Sequence, residues 1–200
     1  MIAGLVLFAL LSEEPVLVPV GHHAYWVSSG SMQPTLSEGD VVLADRPGGV
    51  CGTTEPVPGD VVVARTQGRP WLRRIVAGAG QTVQVMGGVV YVDGQPVKRE
   101  HVDPAAVPGG VPKDPYSETL VWREAVPAGR SWLTFDFGTG GMLDDTPEIR
   151  VPEGHWFALG DNRDNAVDDR VHGPTSAADL CGIVVAVVRS EEPSRVGVRP

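Results

Sequence analysis

The stretch "SSGSMQPTLSEGDVVLAD", Ser28–Asp45, joins a polar turn to a short apolar run. A Gly-Asp pair stands directly before that run, and the same order returns in "GDVVVAR", Gly59–Arg65. β-branched residues favour strands, whereas Gly and Asp favour the turns from which strands start. The repeated pattern therefore predicts one strand at Asp40–Ala44 and another at Asp60–Arg65.

Further strand-like runs follow along the chain, and Gly-Gly and Asp-Gly pairs separate several of them. The Asp93-Gly94 pair between two apolar runs is a strong hairpin signal. Helical segments do not alternate with these runs, so a parallel sheet is not expected. The sequence predicts a mainly β fold built of antiparallel sheets, with one short helical turn at Ser176–Leu180. Its other predicted strands lie in Trp71–Ala77, Gln81–Val97, His155–Gly160 and Cys181–Ser190.

The length of 200 residues suits one domain with an insertion. Residues 100–152 hold many of the prolines together with "PGGVP" and "GTGG", so we interpret them as a loop-rich insertion or subdomain. Residues 191–200 lack periodicity and are predicted to form a flexible tail.

The formal net charge is −9 and no run of Lys or Arg occurs, so nucleic acid is not expected as a partner. The two cysteines, Cys51 and Cys181, lack the short spacing of a metal site, and neither a metal nor a cofactor is predicted. We interpret the cysteines as separate small apolar side chains, with pairing in an oxidising compartment as the alternative.

The N-terminal run "IAGLVLFALL", Ile2–Leu11, is apolar throughout, but it is about half the roughly 20 residues of a membrane span. Three interpretations stay open for it: the apolar part of a signal peptide, part of a transmembrane helix, or a buried segment. We define residues 1–20 as an apolar lead segment or partial membrane anchor.

Two polar segments are candidates for function. The Ser-Gly-Ser cluster at residues 29–31 either holds a nucleophile on an exposed edge or is only a turn of small residues. The segment "GDNRDNAVDDRVHG", Gly160–Gly173, is dense in Asp, Asn and Arg. It lacks the D-x-D-x-D-G spacing of a calcium loop. A network of ion pairs and amides that holds the loop rigid is the better interpretation.

Four segments in this order, "SGSMQPTL", "GDVVLAD", "RRIVAGAG" and "GDNRDNAVDDR", resemble the type I signal peptidases. The resemblance extends from about Ala24 to Val188. It implies a catalytic domain over residues 21–190 and a membrane anchor before it. It also implies a bacterial cytoplasmic membrane location with the catalytic domain on the outer face. The implied partners are membrane lipid and preproteins, whose signal peptides the family cleaves after small residues; the oligomeric state is left open.

The resemblance also assigns residues. Ser31 matches the family's serine nucleophile. Ser29 matches the residue whose hydroxyl lines the oxyanion hole together with the Ser31 backbone N–H. Met32 is expected to pack beneath them. Asp168 and Arg170 match a structural ion pair near the site, while Gly160, Asp161 and Asn165 fall in the same supporting loop.

Two positions depart from the family pattern. The general base of the family is a Lys, but Arg73 stands there, and Ala166 replaces the Ser that usually contacts that Lys. Neither Lys98 nor Lys113, nor any histidine, matches the base position. The pKa of arginine lies far above neutrality, and releasing its proton at pH 8 costs roughly 7 kcal/mol. We therefore expect Arg73 to pair with Asp168 or a neighbouring carboxylate and to fill the site.

Three functions compete on these residues. One is a membrane-bound serine endopeptidase that processes preproteins, with a groove in which the substrate pairs with a sheet edge. Another is a catalytically silent paralogue that binds extended peptides or a partner without cutting. The self-cleaving repressors share the Ser-Lys scheme, but the chain has neither the length nor the basic face for their DNA-binding module.

Overall fold

The computed structural model describes residues 16–107, 110–111, 119–126 and 130–200. The apolar run Ile2–Leu11 lies outside the described residues, so the membrane anchor stays a prediction. Lys113 also lies outside them. Within the described ranges, no helix is both long and apolar enough to cross a membrane.

Short strands make up most of the ordered elements, together with one helical turn and several 3-10 turns. The strands are β1 (His22–Trp26), β2 (Val41–Asp45), β3 (Val61–Thr66), β4 (Arg69–Ala77), β5 (Thr82–Met86), β6 (Val89–Val92), β7 (Gln95–Pro96), β8 (Lys98–Val102), β9 (Leu120–Ala125), β10 (Ser131–Asp136), β11 (Ile149–Arg150), β12 (His155–Leu159), β13 (Thr175–Ser176) and β14 (Leu180–Arg189). The helical turn is α1 (Asp169–His172), and the 3-10 turns are Gly30–Met32, Pro47–Gly49, Pro104–Ala106, Arg163–Asn165, Ala177–Asp179 and Pro193–Arg195.

Three sheets contain these strands. The seven-stranded main sheet has the order β1-β2-β14-β3-β4-β12-β13. A four-stranded sheet has the order β11-β5-β6-β7, and a three-stranded sheet the order β10-β9-β8. Every pair of neighbouring strands in them is antiparallel. The mainly β, antiparallel fold predicted from the sequence is confirmed.

The two Gly-Asp pairs initiate β2 and β3 by the same local geometry. Gly39 and Gly59 have φ angles of 91° and 99°, which L side chains rarely adopt. The Asp40 and Asp60 carboxylates each accept a hydrogen bond from the backbone N–H three residues earlier, at 2.9 and 2.8 Å. This is the turn chemistry for which Asp is suited. The hairpin predicted at Asp93-Gly94 joins β6 to β7.

The main sheet buries its apolar side chains around the segment that contains the serine cluster. Met32 and Leu36 are 1% and 0% exposed, and they pack with side chains of β2, β3 and β14. The core beneath this segment also contains Val27, Val42, Ala44, Val61, Val63, Cys181, Val184 and Val187. The serine turn is therefore backed by a solid apolar layer.

The prediction that the cysteines stay separate is wrong. Cys51 and Cys181 form a disulfide that spans 130 residues of sequence. The loop after β2 lies beside the start of β14, where Gly52 N donates to Leu180 O at 2.8 Å. Tertiary packing brings the two sulfurs together, which no local spacing indicates.

Several residues near the C-terminus contact the rest of the chain. The Arg195 side chain donates to Asp40 Oδ2 at 2.9 Å and to Thr35 O at 2.8 Å, and Arg195 is 8% exposed. Val187 exchanges backbone hydrogen bonds with Gly197 and Val198. The tail thus holds the segment that connects the serine turn to β2.

Candidate functional site

The serine turn presents one hydroxyl above the core. Ser29 is extended (φ −155°, ψ 162°) and leads into the 3-10 turn Gly30–Met32. Met32 points into the core, and its carbonyl accepts a hydrogen bond from Leu36 N at 2.9 Å. Ser31, between them, is half-buried. The turn therefore exposes the Ser31 hydroxyl while Met32 fixes the backbone beneath it.

Two polar groups lie within hydrogen-bonding distance of the Ser31 hydroxyl. The Ser29 hydroxyl donates to Ser31 Oγ at 3.3 Å, and Arg73 Nη1 donates to the same oxygen at 3.4 Å. Both donors are 3.3 Å or more from the oxygen, which is long for a hydrogen bond. A hydroxyl between a second hydroxyl and a cation is suited to developing negative charge.

Arg73 extends from β4 into the site and is 4% exposed. Its Nη1 donates to Leu72 O at 2.6 Å, its Nη2 donates to Val167 O, and its guanidinium lies 4.7 Å from the Trp71 ring centroid. The expected ion pair with Asp168 or a neighbouring carboxylate does not form: no ion pair of the described residues includes Arg73. Main-chain carbonyls hold this guanidinium instead.

Burial lowers the pKa of Arg73 from its ordinary value, while the nearby Asp168 and Asp169 carboxylates act in the opposite direction. A lowered pKa favours the neutral form of the side chain, as it does for any buried base. Arginine nevertheless starts from a pKa far above neutrality, so the side chain is a cation at neutral pH.

Asp168 is occupied by a different arginine, which explains why it does not pair with Arg73. Its two carboxylate oxygens each accept from the Arg170 guanidinium at 2.9 Å, in a fork that is at most 2% exposed. Asp168 also accepts from Gly160 N at 2.9 Å, and Arg170 donates to Arg163 O at 2.5 Å. The pair predicted at Asp168 and Arg170 thus connects the later part of the segment Gly160–Gly173, which we call the polar loop, to its beginning.

Asn162, which the sequence interpretation missed, connects the polar loop to the serine turn. Its backbone N donates to Ser31 O at 3.1 Å, and its Nδ2 donates to Gly30 O at 3.0 Å. Asn165 N donates to Asn162 O at 3.0 Å, while Asn165 itself is exposed. Only the position of Asn162 inside the dense "GDNRDN" segment signals this role.

Gly160 allows this close contact. A Cβ at this position would lie 2.7 Å from Ser31 O and 2.3 Å from the Ala166 Cβ. Ala166 is 7% exposed, so its methyl group fills the space beside Gly160. The strand end, the polar loop and the serine turn are packed without room for a further methyl group.

Asp161 anchors the same loop to the main sheet. It forms a two-point ion pair with Arg74, at 2.9 and 2.7 Å, in which both side chains are at most 3% exposed. Thr35 Oγ1 donates to Asp161 Oδ2 at 2.5 Å. Sequence interpretation placed Asp161 in the site but missed Arg74, whose only signal is its position beside Arg73.

A second buried ion pair, also missed, reaches the three-stranded sheet. Arg163 donates to both carboxylate oxygens of Glu124, at 2.8 and 2.5 Å. Glu124 lies on β9, within the predicted insertion. The polar loop is therefore attached to two different sheets, which makes it a rigid support for the serine turn.

None of the five histidines hydrogen-bonds to Ser31 among the described residues. His172 places its ring edge-on to Trp71, with a centroid distance of 6.3 Å. In the described part of the chain, no group of His, Cys, Asp and Glu side chains is arranged to hold a metal. Among the residues that the structure describes, the side chains that hydrogen-bond to the Ser31 hydroxyl are those of Ser29 and Arg73.

A cleft of about 310 Å³ opens beside these groups. One wall is the segment Tyr25–Ser29, the other is Arg69–Arg73 of β4, and Ser31 and Met32 lie at its base. Extended peptides bind other proteins by pairing with the edges of β segments.

Comparisons with known proteins identify relatives of this chain. The family model described as "Signal peptidase, peptidase S26" matches residues 2–189. A probable signal peptidase I-1 from Synechocystis sp. is 28% identical over 167 residues, which cover 78% of this chain and 66% of that protein. A signal peptidase I from Rickettsia canadensis is 26% identical over 193 residues, which cover 83% of this chain and 67% of that protein.

The chain thus spans about two thirds of the length of these curated relatives. The crystal structure of a signal peptidase I from Enterococcus faecalis V583 superposes with a TM-score of 0.39 at 22% identity, over 65% of this chain and 97% of that one. Because the family model matches nearly the whole sequence, the chain belongs to the signal peptidase family, peptidase S26.

Proposed function

We propose that the protein is a membrane-bound serine endopeptidase that cleaves signal peptides from exported preproteins after small residues. One observation carries this proposal: Ser31 Oγ lies 3.3 Å from Ser29 Oγ and 3.4 Å from Arg73 Nη1 at the base of an open cleft. Family membership supports the reaction class.

Ser31 attacks the scissile carbonyl carbon, and the carbonyl oxygen becomes an oxyanion. The Ser31 backbone N–H and the Ser29 hydroxyl are the proposed donors to that oxyanion, because both belong to the same exposed turn. The C–N bond then breaks as water from the cleft protonates the leaving amine, and a second water hydrolyses the ester left on Ser31. Asn162, Asp161 and Asp168 keep the turn in place by the contacts described above.

Arg73 is the unusual element of this scheme. As a cation that donates to Ser31 Oγ, it stabilises the serine alkoxide but cannot accept the hydroxyl proton. The proton then passes to hydroxide or water from the open cleft. The expected turnover is slow at neutral pH and rises as the solution becomes alkaline.

The proposed location is the bacterial cytoplasmic membrane, with residues 1–20 as the anchor and the cleft on the outer face. Exposed apolar side chains near this end support contact with lipid: Leu17, Val20 and Trp26 are 70%, 75% and 51% exposed. Exposed patches of large apolar side chains are more usual on surfaces that a membrane or a partner covers.

The second candidate is a catalytically silent paralogue that binds extended peptides or a partner. The observation in its favour is that Arg73 makes hydrogen bonds to two main-chain carbonyls and to Ser31 at once. A guanidinium used in this way is a structural element rather than a base.

Incubation of a purified preprotein with the parent chain and with the Ser31→Ala variant separates the candidates. The peptidase proposal predicts slow cleavage at the signal-peptide boundary by the parent and none by Ser31→Ala. Cleavage that survives in Ser31→Ala contradicts the nucleophile assignment. If the parent does not cut and Arg73→Lys combined with Ala166→Ser does, the silent paralogue is the correct function.

A further inference from the structure

The cleft beside Ser31 has a charge opposite to that of the whole chain. The formal net charge is −9, with 25 acidic residues, yet the cleft is lined by Arg69 and Arg73 and by no carboxylate. The rest of its lining is aromatic, apolar or hydroxyl-bearing, including Trp26 and Trp71. A negatively charged segment that enters the cleft therefore meets positive charge at short range, although the chain as a whole is acidic.

Arg69 is available to such a segment, whereas Arg73 is already engaged. Eight other arginines form ion pairs in the described residues, from exposed Arg65–Asp179 to buried Arg170–Asp168, but Arg69 is in none of them. Arg69 is exposed at the mouth of the cleft. Its guanidinium keeps its charge and its hydrogen-bonding capacity for an external carboxylate.

The strand geometry sets the distance between Arg69 and the reacting hydroxyl. Residues 69, 71 and 73 are every second residue of β4, so their side chains point to the same face of the strand. At about 3.3 Å per residue, the Cα of Arg69 lies roughly 13 Å along β4 from that of Arg73. An extended peptide beside β4 repeats at the same rise, so the residue opposite Arg69 is about four positions from the bond at Ser31.

We propose that Arg69 is a specificity-determining residue that selects segments with an Asp or Glu about four residues from the bond presented to Ser31, and that rejects Lys and Arg there. This inference rests on the proposed function, whose substrate class it narrows. An exposed carboxylate–guanidinium pair changes affinity by about threefold to fivefold. Exchange of Asp for Lys at that position adds repulsion, so the two peptides differ by roughly tenfold in Kd.

The test measures binding separately from cleavage. The Ser31→Ala chain is titrated into fluorescein-labelled Ala-rich decapeptides that carry a single Asp, Asn or Lys at each position in turn. Fluorescence anisotropy should show, at one position only, that the Asp peptide binds more tightly than the Asn peptide and the Asn peptide more tightly than the Lys peptide. Arg69→Gln in the same background should remove the difference, and Arg69→Glu should invert it. The matched control Arg150→Gln, outside the cleft, should leave it unchanged.

The outcomes distinguish this inference from the peptidase proposal. Charge-selective binding that depends on Arg69, in a chain whose Ser31 form does not cut, supports the inference and overturns the proposed function. Cleavage with equal binding of Asp, Asn and Lys peptides overturns the inference alone. Arg69-dependent binding of phosphatidylglycerol vesicles without charge-selective peptide binding also overturns it, because the cleft mouth then faces lipid headgroups.

Discussion

Arg74 and Asp161 form a two-point ion pair that is almost completely excluded from water, with donor–acceptor distances of 2.9 and 2.7 Å. The pair joins β4 to the polar loop that supports the serine turn. A buried charge that loses its partner is far more costly than an exposed one.

Asp161→Ala should therefore destabilise the protein by about 3–5 kcal/mol, because it leaves the Arg74 guanidinium buried without a carboxylate. Asp179→Ala is the matched control, since it removes the partner of Arg65 in a pair whose side chains are 49% and 40% exposed. That change should alter the free energy of unfolding by less than about 1 kcal/mol. Urea unfolding of both variants measures the difference, and equal losses would contradict the importance of burial.

Gly160 gives a prediction about packing at the nucleophile. In Gly160→Ala, the new methyl group would lie 2.7 Å from Ser31 O and 2.3 Å from the Ala166 Cβ, so the serine turn must shift. We expect a loss of about 1–3 kcal/mol of stability together with loss of cleavage. Gly78→Ala is the control, because its Cβ would meet the Trp156 ring only at 3.9 Å. Thermal unfolding and preprotein cleavage measure both effects, and full activity in Gly160→Ala would show that the turn tolerates displacement.

Asp169 gives a prediction about pH. Burial raises the pKa of this carboxyl to about 7, against the opposing hydrogen bonds from Ala158 N and Thr175. An unfolded Asp ionises near pH 4, so between about pH 4 and 7 the folded state holds a proton that the unfolded state has lost. The parent should therefore lose stability relative to Asp169→Asn as the pH rises through that window, by about 4 kcal/mol at most.

Urea titrations of both chains at pH 4.5, 6 and 8 measure this difference. Thr175→Val should raise the pKa of Asp169 in the folded state, and with it the upper end of this pH window. The reason is that it removes a hydroxyl that donates to the ionised carboxylate at 3.0 Å. A constant difference between parent and Asp169→Asn from pH 4.5 to 8 would show that the buried carboxyl is ionised throughout.

The strands and turns were predictable because their signals are local. Gly39 and Gly59 adopt the positive φ angles that Gly-Asp turns need, and the Asp93-Gly94 hairpin follows from two adjacent residues. Motif resemblance, rather than any local pattern, predicted that Ser31 and Arg73 belong to one site, although they are 42 residues apart in sequence.

The failures arose where partners are chosen by tertiary packing. Cys51 pairs with a sulfur 130 residues away in sequence. Arg73 was expected beside Asp168, but that carboxylate is already held by Arg170 two residues along. Competition between several arginines for one carboxylate depends on three-dimensional positions that the sequence alone does not give.

The pH dependence of preprotein cleavage tests the central claim, that Ser31 reacts while its cationic neighbour cannot take its proton. For the parent, kcat/KM should rise about tenfold per pH unit without a plateau, because hydroxide removes the Ser31 proton. Arg73→Lys combined with Ala166→Ser should cut faster and reach a plateau, because a buried Lys titrates within the measurable range. A parent that already reaches a plateau near neutral pH, and gains nothing from these substitutions, would contradict the claim.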